Sequence, residues 1–286
     1  MTFIESLQKS INYMEDHLLE DISLEEIAGQ SNVSPFRFQR TFTILTDISV
    51  GEYLKRRRLT CAAEELTRTD IKIIDLAYKY GYETPEAFTK AFRRLHGVSP
   101  SEARKGEGKL QFYQRLMIQV NLKGADPMRY RMVEREAFQV VGIRREFSLV
   151  NEENLVGIPK FWDEFNASGS SDSLLPFIKG EIKGFLGVCV DKTTPQSKVI
   201  DYWIGVEHEG GDSGEYELLD IPAAKWSVFE VHGAMPHAIQ KVWKQIFSEW
   251  FPSSGYQPAG GPELEVYTDG DTSSSDYYSE IWIPVK

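Results

Sequence analysis

Two stretches of the sequence decide the fold of the first third of the chain. Residues 23–42 read SLEEIAGQSNVSPFRFQRTF, and residues 73–104 read IIDLAYKYGYETPEAFTKAFRRLHGVSPSEAR. In each stretch an apolar helical stripe leads into a short turn, which contains Asn32 in the first copy and Gly81 in the second, and a second helix follows. Asn and Gly best tolerate the left-handed backbone of a sharp corner between helices. The pattern predicts a helix-turn-helix unit that occurs twice.

Capping residues mark the helix boundaries in this region. Ser34-Pro35 and Thr84-Pro85 each place a hydroxyl before a proline, which is a preferred arrangement at a helix start. Between the two units, the apolar residues of 50–66 predict one long helix of roughly 18 residues, about 27 Å. Since one turn of DNA is ~34 Å, helices held this far apart suit successive segments of the major groove.

The charge of the chain divides along its length. The 286 residues carry a net charge of −11. Residues 34–109 hold 15 basic and 10 acidic side chains, whereas residues 127–286 hold 14 basic and 25 acidic ones. An asymmetry of this kind suggests partners of opposite charge for the two parts.

Composition excludes several classes of protein. Hydrophobic residues make up 41% and charged residues 26%, as in ordinary globular proteins, and no apolar run approaches the ~20 residues of a membrane span. The N-terminal pattern lacks the features of a secretion signal, so we expect a cytoplasmic protein without membrane contact. Cys61 and Cys189 are far apart and have no neighbouring ligand pattern, so we expect no disulfide, no metal site and no cofactor.

The helical region, residues 5–105, resembles the DNA-binding domain of AraC/XylS-type transcription regulators. Both stretches quoted above carry this resemblance, together with GEYLKRRRL at 51–59. The resemblance implies that the second helix of each unit contacts double-stranded promoter DNA. The implied contact residues are Phe36, Gln39 and Arg40 in the first unit, and Glu86 and Lys90 in the second. RNA polymerase is a further candidate partner of a regulator of this type.

The helical pattern supports two of these contact residues independently. Gln39 and Arg40 follow Phe36 by about one turn, on a helix whose apolar face includes Phe38 and Phe42. We therefore expect both side chains to be exposed and able to pair with adenine and guanine edges. The alternative is that they only solvate the polar face of an amphipathic helix.

A basic run follows in the long helix, at Lys55-Arg56-Arg57-Arg58. Such runs are usually solvated. We expect Arg57 or Arg58 to help stabilise the core and the others at most to contact phosphates, which positions a protein on DNA without specifying sequence.

After residue 108 the pattern changes to the alternation of apolar and polar residues that is typical of β-strands. The first predicted strands lie at 115–120 and 128–133. A helix after residue 151 and two further strands follow. The sequence therefore predicts that strands begin in this part of the chain.

The order strand, helix, strand, strand occurs twice in this second part. Residues 158–162, IPKFW, align with 239–243, IQKVW, at an offset of 81, and residues 202–206 align with 281–285 at an offset of 79. Two nearly equal offsets indicate an internal duplication. We expect a pseudo-twofold α+β domain with a groove where its halves meet.

The second part also resembles a known family, the GyrI-like effector-binding domain of multidrug-sensing regulators. The resemblance is carried by FWDEF at 161–165, DYWIGVE at 201–207, IPAAKWSVFEVHG at 221–233, IFSEWFPSSGYQPAGGPELEVY at 246–267 and SEIWIPV at 279–285. It implies a pocket between the two repeats in which acidic and aromatic side chains hold an organic cation. The acids that match are Glu265 and Glu280.

Strand alternation suggests a ligand-binding set around these acids. Glu265 shares a strand face with Tyr267, and Glu280 shares one with Trp282, whose counterpart in the first repeat is Trp203. We expect these five side chains to line one concave face, with carboxylates for charge and rings for cation–π contacts. The alternative is that the acids are solvated and the tryptophans cover a core.

These observations together predict a DNA-binding transcription regulator, not an enzyme, that senses a small, cationic or amphipathic effector. The expected divisions are a double helix-turn-helix domain at 1–106, a linker and first strand region at 107–126, and a ligand-binding domain at 127–286. Two alternatives stay open for the last domain. Under the first alternative it is a small hydrolase in which His232 or His237 supplies a base, although no nucleophile motif accompanies them. Under the second it is a protein-binding inhibitor module.

Overall fold

The structure, a computed structural model, describes residues 3–118, 128–194 and 197–286. The chain divides into two compact units, Met1–Gln119 and Val120–Lys286. Within the described residues, no helix is both long enough and apolar enough to cross a membrane. Each unit has its own hydrophobic core, so the two are described separately.

The first unit is helical, as predicted. Its helices are α1 (Phe3–Asp16), α2 (Leu24–Gly29), α3 (Pro35–Thr46), α4 (Val50–Arg68), α5 (Ile73–Lys79), α6 (Pro85–His96) and α7 (Pro100–Arg104). The Ser34 hydroxyl accepts a hydrogen bond from the backbone N–H of Arg37, and the Thr84 hydroxyl accepts one from that of Ala87. Both predicted caps therefore begin the second helix of a unit.

Both predicted turns have the expected backbone. Asn32, between α2 and α3, has a φ of 53°, and Gly81, between α5 and α6, has a φ of 80°. A positive φ is unfavourable for most L-residues, which explains why Asn and Gly stand at these corners. The duplicated helix-turn-helix is therefore encoded locally.

The long helix α4 joins two hydrophobic clusters. Its first half contributes Val50 and Tyr53 to the cluster formed with α1, α2 and α3. Its second half contributes Leu59 and Leu66 to the cluster formed with α5, α6 and α7. One continuous helix of 19 residues thus fixes the spacing of the two helix-turn-helix units.

Residues 109–118, which we call the strap, run across the helices without forming a strand. Four of its backbone N–H groups donate to side chains of the helices, from Gln111 to His96 (3.3 Å), from Tyr113 to Thr60 (3.1 Å), from Leu116 to Tyr53 (3.2 Å) and from Ile118 to Gln8 (2.8 Å). The predicted strand at 115–120 is therefore wrong for residues 115–118, while residues 119 and 120 lie outside the described residues. Its alternation arises because Leu116 and Ile118 pack on the helical core.

The second unit is built on one antiparallel sheet. Its strands are β1 (Tyr130–Arg135), β2 (Phe138–Ser148), β3 (Phe185–Asp191), β4 (Val199–His208), β5 (Glu217–Ile221), β6 (Ala224–His232), β7 (Glu263–Tyr267) and β8 (Tyr278–Pro284), in the spatial order β1-β6-β8-β7-β3-β4-β2-β5. The α+β fold class is as predicted. The sequence pattern had missed β2 and β5, so each repeat begins with one more strand than expected.

The strand order shows how the two repeats combine. β3 and β7 pair at the centre, and each repeat gives its first strand to the other half, since β1 pairs with β6 and β5 pairs with β2. The helices are α8 (Glu153–Ala167), α9 (Ser170–Leu174), α10 (His237–Gln245) and α11 (Phe251–Ser254), with a π-helical turn at Ile246–Trp250. α8 and α10 occupy corresponding places in the two repeats.

Candidate DNA interface and ligand-binding site

The second helix of the second helix-turn-helix unit, α6, presents an accessible polar face. Glu86 and Lys90 are exposed and lie four residues apart, one helical turn, on the side of α6 opposite the buried Phe88 and Phe92. Arg93 and Arg94 are exposed at the C-terminal end. This face can meet a nucleic acid without any rearrangement of its own helix.

The second helix of the first helix-turn-helix unit, α3, differs from the prediction. Gln39 is only 2% exposed and Phe36 only 5% exposed, so the expectation that Gln39 is accessible is wrong. The prediction assumed one packed face along Phe38 and Phe42, whereas buried side chains extend further round α3. Arg40 is partly exposed, and of the three predicted contacts in this unit it is the most accessible.

Two arginines of α4 stabilise the core of the first unit, as expected. Arg57 forms a bidentate ion pair with Glu15 and donates to the backbone carbonyl of Tyr113 in the strap. Arg58 donates to the backbone carbonyls of Leu18 (2.6 Å) and Glu20 (2.8 Å). Their guanidinium groups are engaged by the protein itself.

In the second unit, strand register separates the five predicted ligand residues into two groups. Glu265 is paired with Ile281, whereas Leu264 is paired with Trp282. Residues that pair directly across antiparallel strands lie on the same face of the sheet. Glu265 and Tyr267 therefore lie on one face, and Glu280, Trp282 and Trp203 lie on the other. The prediction that all five line one face is wrong, because alternation along a strand does not fix the phase between strands.

Glu265 lies at the centre of a cluster of aromatic residues on the face that carries the helices. Trp243 of α10 donates its indole N–H to Glu265 Oε1 (2.7 Å), and the Tyr267 hydroxyl donates to Oε2 (2.9 Å). Trp162 of α8 packs edge-to-face on Tyr267 at 4.9 Å between ring centroids and donates its indole N–H to the Tyr202 hydroxyl (2.9 Å). We call these five residues the Glu265 cluster.

Sequence reasoning missed three members of the cluster, Trp162, Tyr202 and Trp243. The signal was present, because the repeat alignment already placed Trp162 and Trp243 at the end of corresponding segments. What the alignment did not indicate is that both indoles point to the same face of the sheet as Glu265. Only the packing of α8 and α10 establishes that relationship.

Two hydrogen bonds position the Glu265 carboxylate within the cluster. The donors are the Trp243 indole and the Tyr267 hydroxyl, both neutral groups, and their bonds fix the orientation of the carboxylate. Burial, and then the neighbouring Glu265 carboxylate, raise the pKa of Tyr267 well above its usual value, so its hydroxyl remains a donor. Gly187 is needed here, since a Cβ at that position would lie 2.3 Å from the Tyr202 hydroxyl oxygen.

Glu280, on the opposite face, is held by structural partners. It accepts hydrogen bonds from Arg131 (2.9 Å), from the Trp282 indole (2.8 Å) and from the Tyr278 hydroxyl. Burial opposes ionisation of Glu280, but the bonds from Arg131, Tyr278 and Trp282 outweigh it and lower its pKa. Trp203 and Trp282 belong to the buried core of this face.

The comparisons with known proteins agree with this division of the chain. Residues 128–286, more than half of the chain, match the model of the GyrI-like small molecule binding domain, and residues 27–106 match a helix-turn-helix domain model. The chain belongs to the AraC family of regulators and carries a GyrI-like domain. Both resemblances expected from the sequence are thereby confirmed.

Two curated relatives illustrate the match. The uncharacterized HTH-type transcriptional regulator YbfP of Bacillus subtilis (strain 168) is 35% identical over 143 residues, which are 48% of this chain and 48% of YbfP. The regulatory protein SoxS of Salmonella typhimurium (strain LT2) is 33% identical over 104 residues, 36% of this chain and 97% of SoxS. The chain thus spans about half the length of YbfP and nearly all of SoxS.

A solved structure resembles the second unit. The protein SAV2435 bound to tetraphenylphosphonium is 28% identical, with a TM-score of 0.50, and the match covers 56% of this chain and 94% of SAV2435. The second unit therefore resembles a protein whose structure was solved with tetraphenylphosphonium bound.

Proposed function

We propose that this regulator binds promoter DNA through α3 and α6 and that its GyrI-like domain binds an organic cation at the Glu265 cluster. The family already makes it a transcription regulator. The class of effector and the residues that contact it are our proposal. RNA polymerase remains a candidate partner, and we expect the protein to act in the cytoplasm, where promoter DNA is found.

The observation that carries the proposal is the arrangement around Glu265. Its carboxylate is oriented by Trp243 and Tyr267 at the sheet face between α8 and α10. Trp162 stands beside Tyr267 and adds a further ring. A carboxylate surrounded by aromatic rings suits a large, weakly hydrated cation, because the charge and the ring faces attract it together. The similar protein SAV2435 binds tetraphenylphosphonium, which is such a cation.

Calorimetry of the full-length protein with tetraphenylphosphonium tests the effector class. Glu265→Gln keeps the shape of the side chain but removes its charge, and we expect affinity to fall by about tenfold to a hundredfold. Triphenylphosphine oxide, which is neutral, should bind the parent and the variant alike. Glu230→Gln, on the other face of the sheet, is the matched control and should bind tetraphenylphosphonium like the parent. Equal affinity in all three proteins would contradict the proposal.

We infer that the domain acts by binding and not by turnover. His232 is exposed and its Nε2 lies 3.4 Å from Glu230, while His237 is the first residue of α10. Among the described residues, the carboxylate of Glu230 is the polar contact of His232, and no hydrogen bond joins His232 to a serine or a cysteine. The test is to incubate a candidate effector with the protein and to analyse it by mass spectrometry. We expect the compound to be recovered unchanged.

A further inference from the structure

A cavity lies on the face of the sheet opposite the Glu265 cluster. Its volume is about 360 Å³, within the usual range for small-molecule sites. Residues that line it include Arg131, Ile182, Lys183, Val266, Glu280 and Trp282. By strand register Glu280 and Trp282 share this face, so the cavity and the Glu265 carboxylate are separated by the sheet.

The sheet is curved towards this cavity. Arg135 of β1 and Glu207 of β4 form an ion pair of 2.7 Å, although four strands lie between β1 and β4 in the sheet. Strands stand ~4.8 Å apart, so a flat sheet would hold these two strands more than 20 Å apart. Residues 181–183 lie across the opening, since Ile182 donates its backbone N–H to Glu207 (2.6 Å). The cavity therefore has walls on several sides.

The carboxylates at the cavity are already engaged by donors of the protein. Glu280 accepts from Arg131, Trp282 and Tyr278, as described above. The exposed Glu181 lies 3.2 Å from Arg135, which also pairs with Glu207. A ligand cation entering here would have to displace one of these arginines. In the Glu265 cluster, by comparison, the Trp243 indole and the Tyr267 hydroxyl donate to the carboxylate.

A cationic group at the cavity has hydrogen-bond capacity to spare. Lys183 is exposed, and its ammonium donates to the backbone carbonyl of Lys179 (3.1 Å). No carboxylate of the described residues lies within ion-pair distance of Lys183. An ammonium has three donors, so two are available to a ligand. Arg131, with a side chain 46% exposed, adds further N–H groups at the same rim.

We propose that this cavity is a second small-molecule site, which binds an organic anion with a flat apolar body. The carboxylate of such a ligand pairs with Lys183 and Arg131 at the rim. Its apolar body lies against Ile182, Val266 and Trp282. The domain would then distinguish two classes of compound by charge, with cations on the helical face and anions on the concave face. The proposal does not depend on the effector assigned to the Glu265 cluster.

Titration calorimetry of the full-length protein with 2-naphthoate tests this site, and the neutral 2-naphthamide is the matched ligand. We expect the naphthoate to bind at least about tenfold more tightly than the amide, because a charge-assisted hydrogen bond is stronger than a neutral one. Lys183→Gln should remove that advantage. Lys179→Gln is the matched control, because Lys179 is also exposed and belongs to the same segment but does not line the cavity.

Three outcomes would overturn the proposal. The first is equal binding of naphthoate and naphthamide, and the second is an equal effect of Lys183→Gln and Lys179→Gln, which would indicate general charge attraction. The third is that 2-naphthoate does not bind even at millimolar concentration. Tetraphenylphosphonium affinity measured on Lys183→Gln keeps the two sites apart. The tetraphenylphosphonium affinity of this variant should equal that of the parent. The cation result and the naphthoate result can therefore each contradict one proposal without affecting the other.

Discussion

Arg57 of α4 and Glu15 of α1 form a bidentate ion pair, with distances of 2.8 Å from Nε to Oε1 and 2.9 Å from Nη2 to Oε2. The side chains are 13% and 7% exposed, so the pair is largely removed from water. Burial opposes ionisation of Glu15, but hydrogen bonds from Arg57 and Tyr53 lower its pKa overall. The same arginine also binds the strap through the Tyr113 carbonyl, so one side chain joins three segments of the first unit.

Arg57→Met should therefore destabilise the first unit. Removing one partner leaves a buried carboxylate uncompensated, and we expect a loss of about 3 kcal/mol in the free energy of unfolding. Arg56→Met is the control for a partly exposed arginine. Arg56 pairs with Glu52 within α4 and lies 4.9 Å from the centroid of the Tyr113 ring, so its replacement should cost about 1 kcal/mol or less.

The distribution of tryptophan allows each unit to be followed separately in urea unfolding of the full chain. All six tryptophans lie between residues 162 and 282, in the second unit, while the first unit contributes most of the helix. Arg57→Met should shift the transition seen by circular dichroism at 222 nm and leave the tryptophan fluorescence transition in place. Equal shifts for Arg56→Met and Arg57→Met would show that the buried Arg57–Glu15 pair stabilises the protein no more than the partly exposed Arg56–Glu52 pair.

His96 makes the attachment of the strap dependent on pH. It is 2% exposed, its Nδ1 accepts the Gln111 N–H, and its Nε2 lies 3.2 Å from the Leu59 carbonyl oxygen. A neutral ring with its proton on Nε2 satisfies both contacts, whereas a proton on Nδ1 would break the bond to the strap. Burial lowers the pKa of His96, despite the opposing effect of both backbone contacts.

Because this pKa is lowered in the folded state, the unfolded chain binds the proton first. The contribution of neutral His96 to the free energy of unfolding is therefore fully present above the ordinary histidine pKa of 6.5. It is lost as the pH decreases from there through the folded-state pKa. The transition of the first unit at 222 nm should move to lower urea between pH 7 and pH 5. His96→Gln should flatten this dependence, whereas His17→Gln should retain it. A parent protein with the same midpoint at both pH values would contradict the role of His96.

We propose that base reading by the first helix-turn-helix unit depends mainly on Arg40, the most accessible of its three predicted contacts. Arg40→Ala should cost about 1–3 kcal/mol on the specific promoter site and much less on random DNA, since a bidentate contact to guanine is specific. Gln39→Ala should have a smaller effect, because Gln39 is buried in the described structure. Fluorescence anisotropy with both DNAs separates the possibilities. Equal losses on the two DNAs would mean that Arg40 contacts phosphate.

The second helix-turn-helix unit gives a complementary prediction. Lys90 is exposed on α6, one turn after Glu86. We expect Lys90→Ala to weaken specific binding, and Glu86→Ala to change which bases are preferred at its half-site rather than overall affinity. Binding to a library of promoter variants measures both effects. An unchanged preference in Glu86→Ala would remove that residue from base recognition.

Sequence patterns predicted the elements of this fold better than the relations between them. The caps at Ser34 and Thr84 and the turns at Asn32 and Gly81 are local, and local chemistry determines them. The strap was mistaken for a strand because alternation also arises when an extended segment packs on helices. Its N–H groups bond to helix side chains, and this long-range contact leaves no periodic trace in sequence.

The predicted ligand residues show more clearly that sequence patterns do not fix the relations between elements. Alternation correctly placed Glu265 with Tyr267, and Glu280 with Trp282, within their strands. The relative phase of β7 and β8 depends on register, and shifting it by one residue moves a whole strand to the other face. Pairing of Leu264 with Trp282 therefore separates two acids that the family resemblance had treated alike.

The two glutamates should consequently respond in opposite ways to loss of charge. Glu280→Gln replaces the ion pair with Arg131 by a hydrogen bond to a neutral group. Because the Arg131 side chain is 46% exposed, we expect a moderate loss of about 1–2 kcal/mol in the free energy of unfolding, seen in tryptophan fluorescence. Since the pKa of Glu280 is lowered, its contribution is present above the ordinary value of 4.5 and disappears as the pH falls through the folded-state pKa. The parent and Glu280→Gln should therefore converge in stability at low pH.

Glu265→Gln should leave the stability of the second unit within about 0.5 kcal/mol of the parent, as expected when both neighbours of a replaced group keep hydrogen-bond partners. The Trp243 N–H can still donate to the glutamine oxygen, and the Tyr267 hydroxyl can rotate to accept from the glutamine amide. Binding reverses the order, because tetraphenylphosphonium affinity should fall in Glu265→Gln and persist in Glu280→Gln. If Glu265→Gln unfolds at much lower urea while retaining the cation, Glu265 is a structural residue, and the effector site must lie elsewhere in the domain.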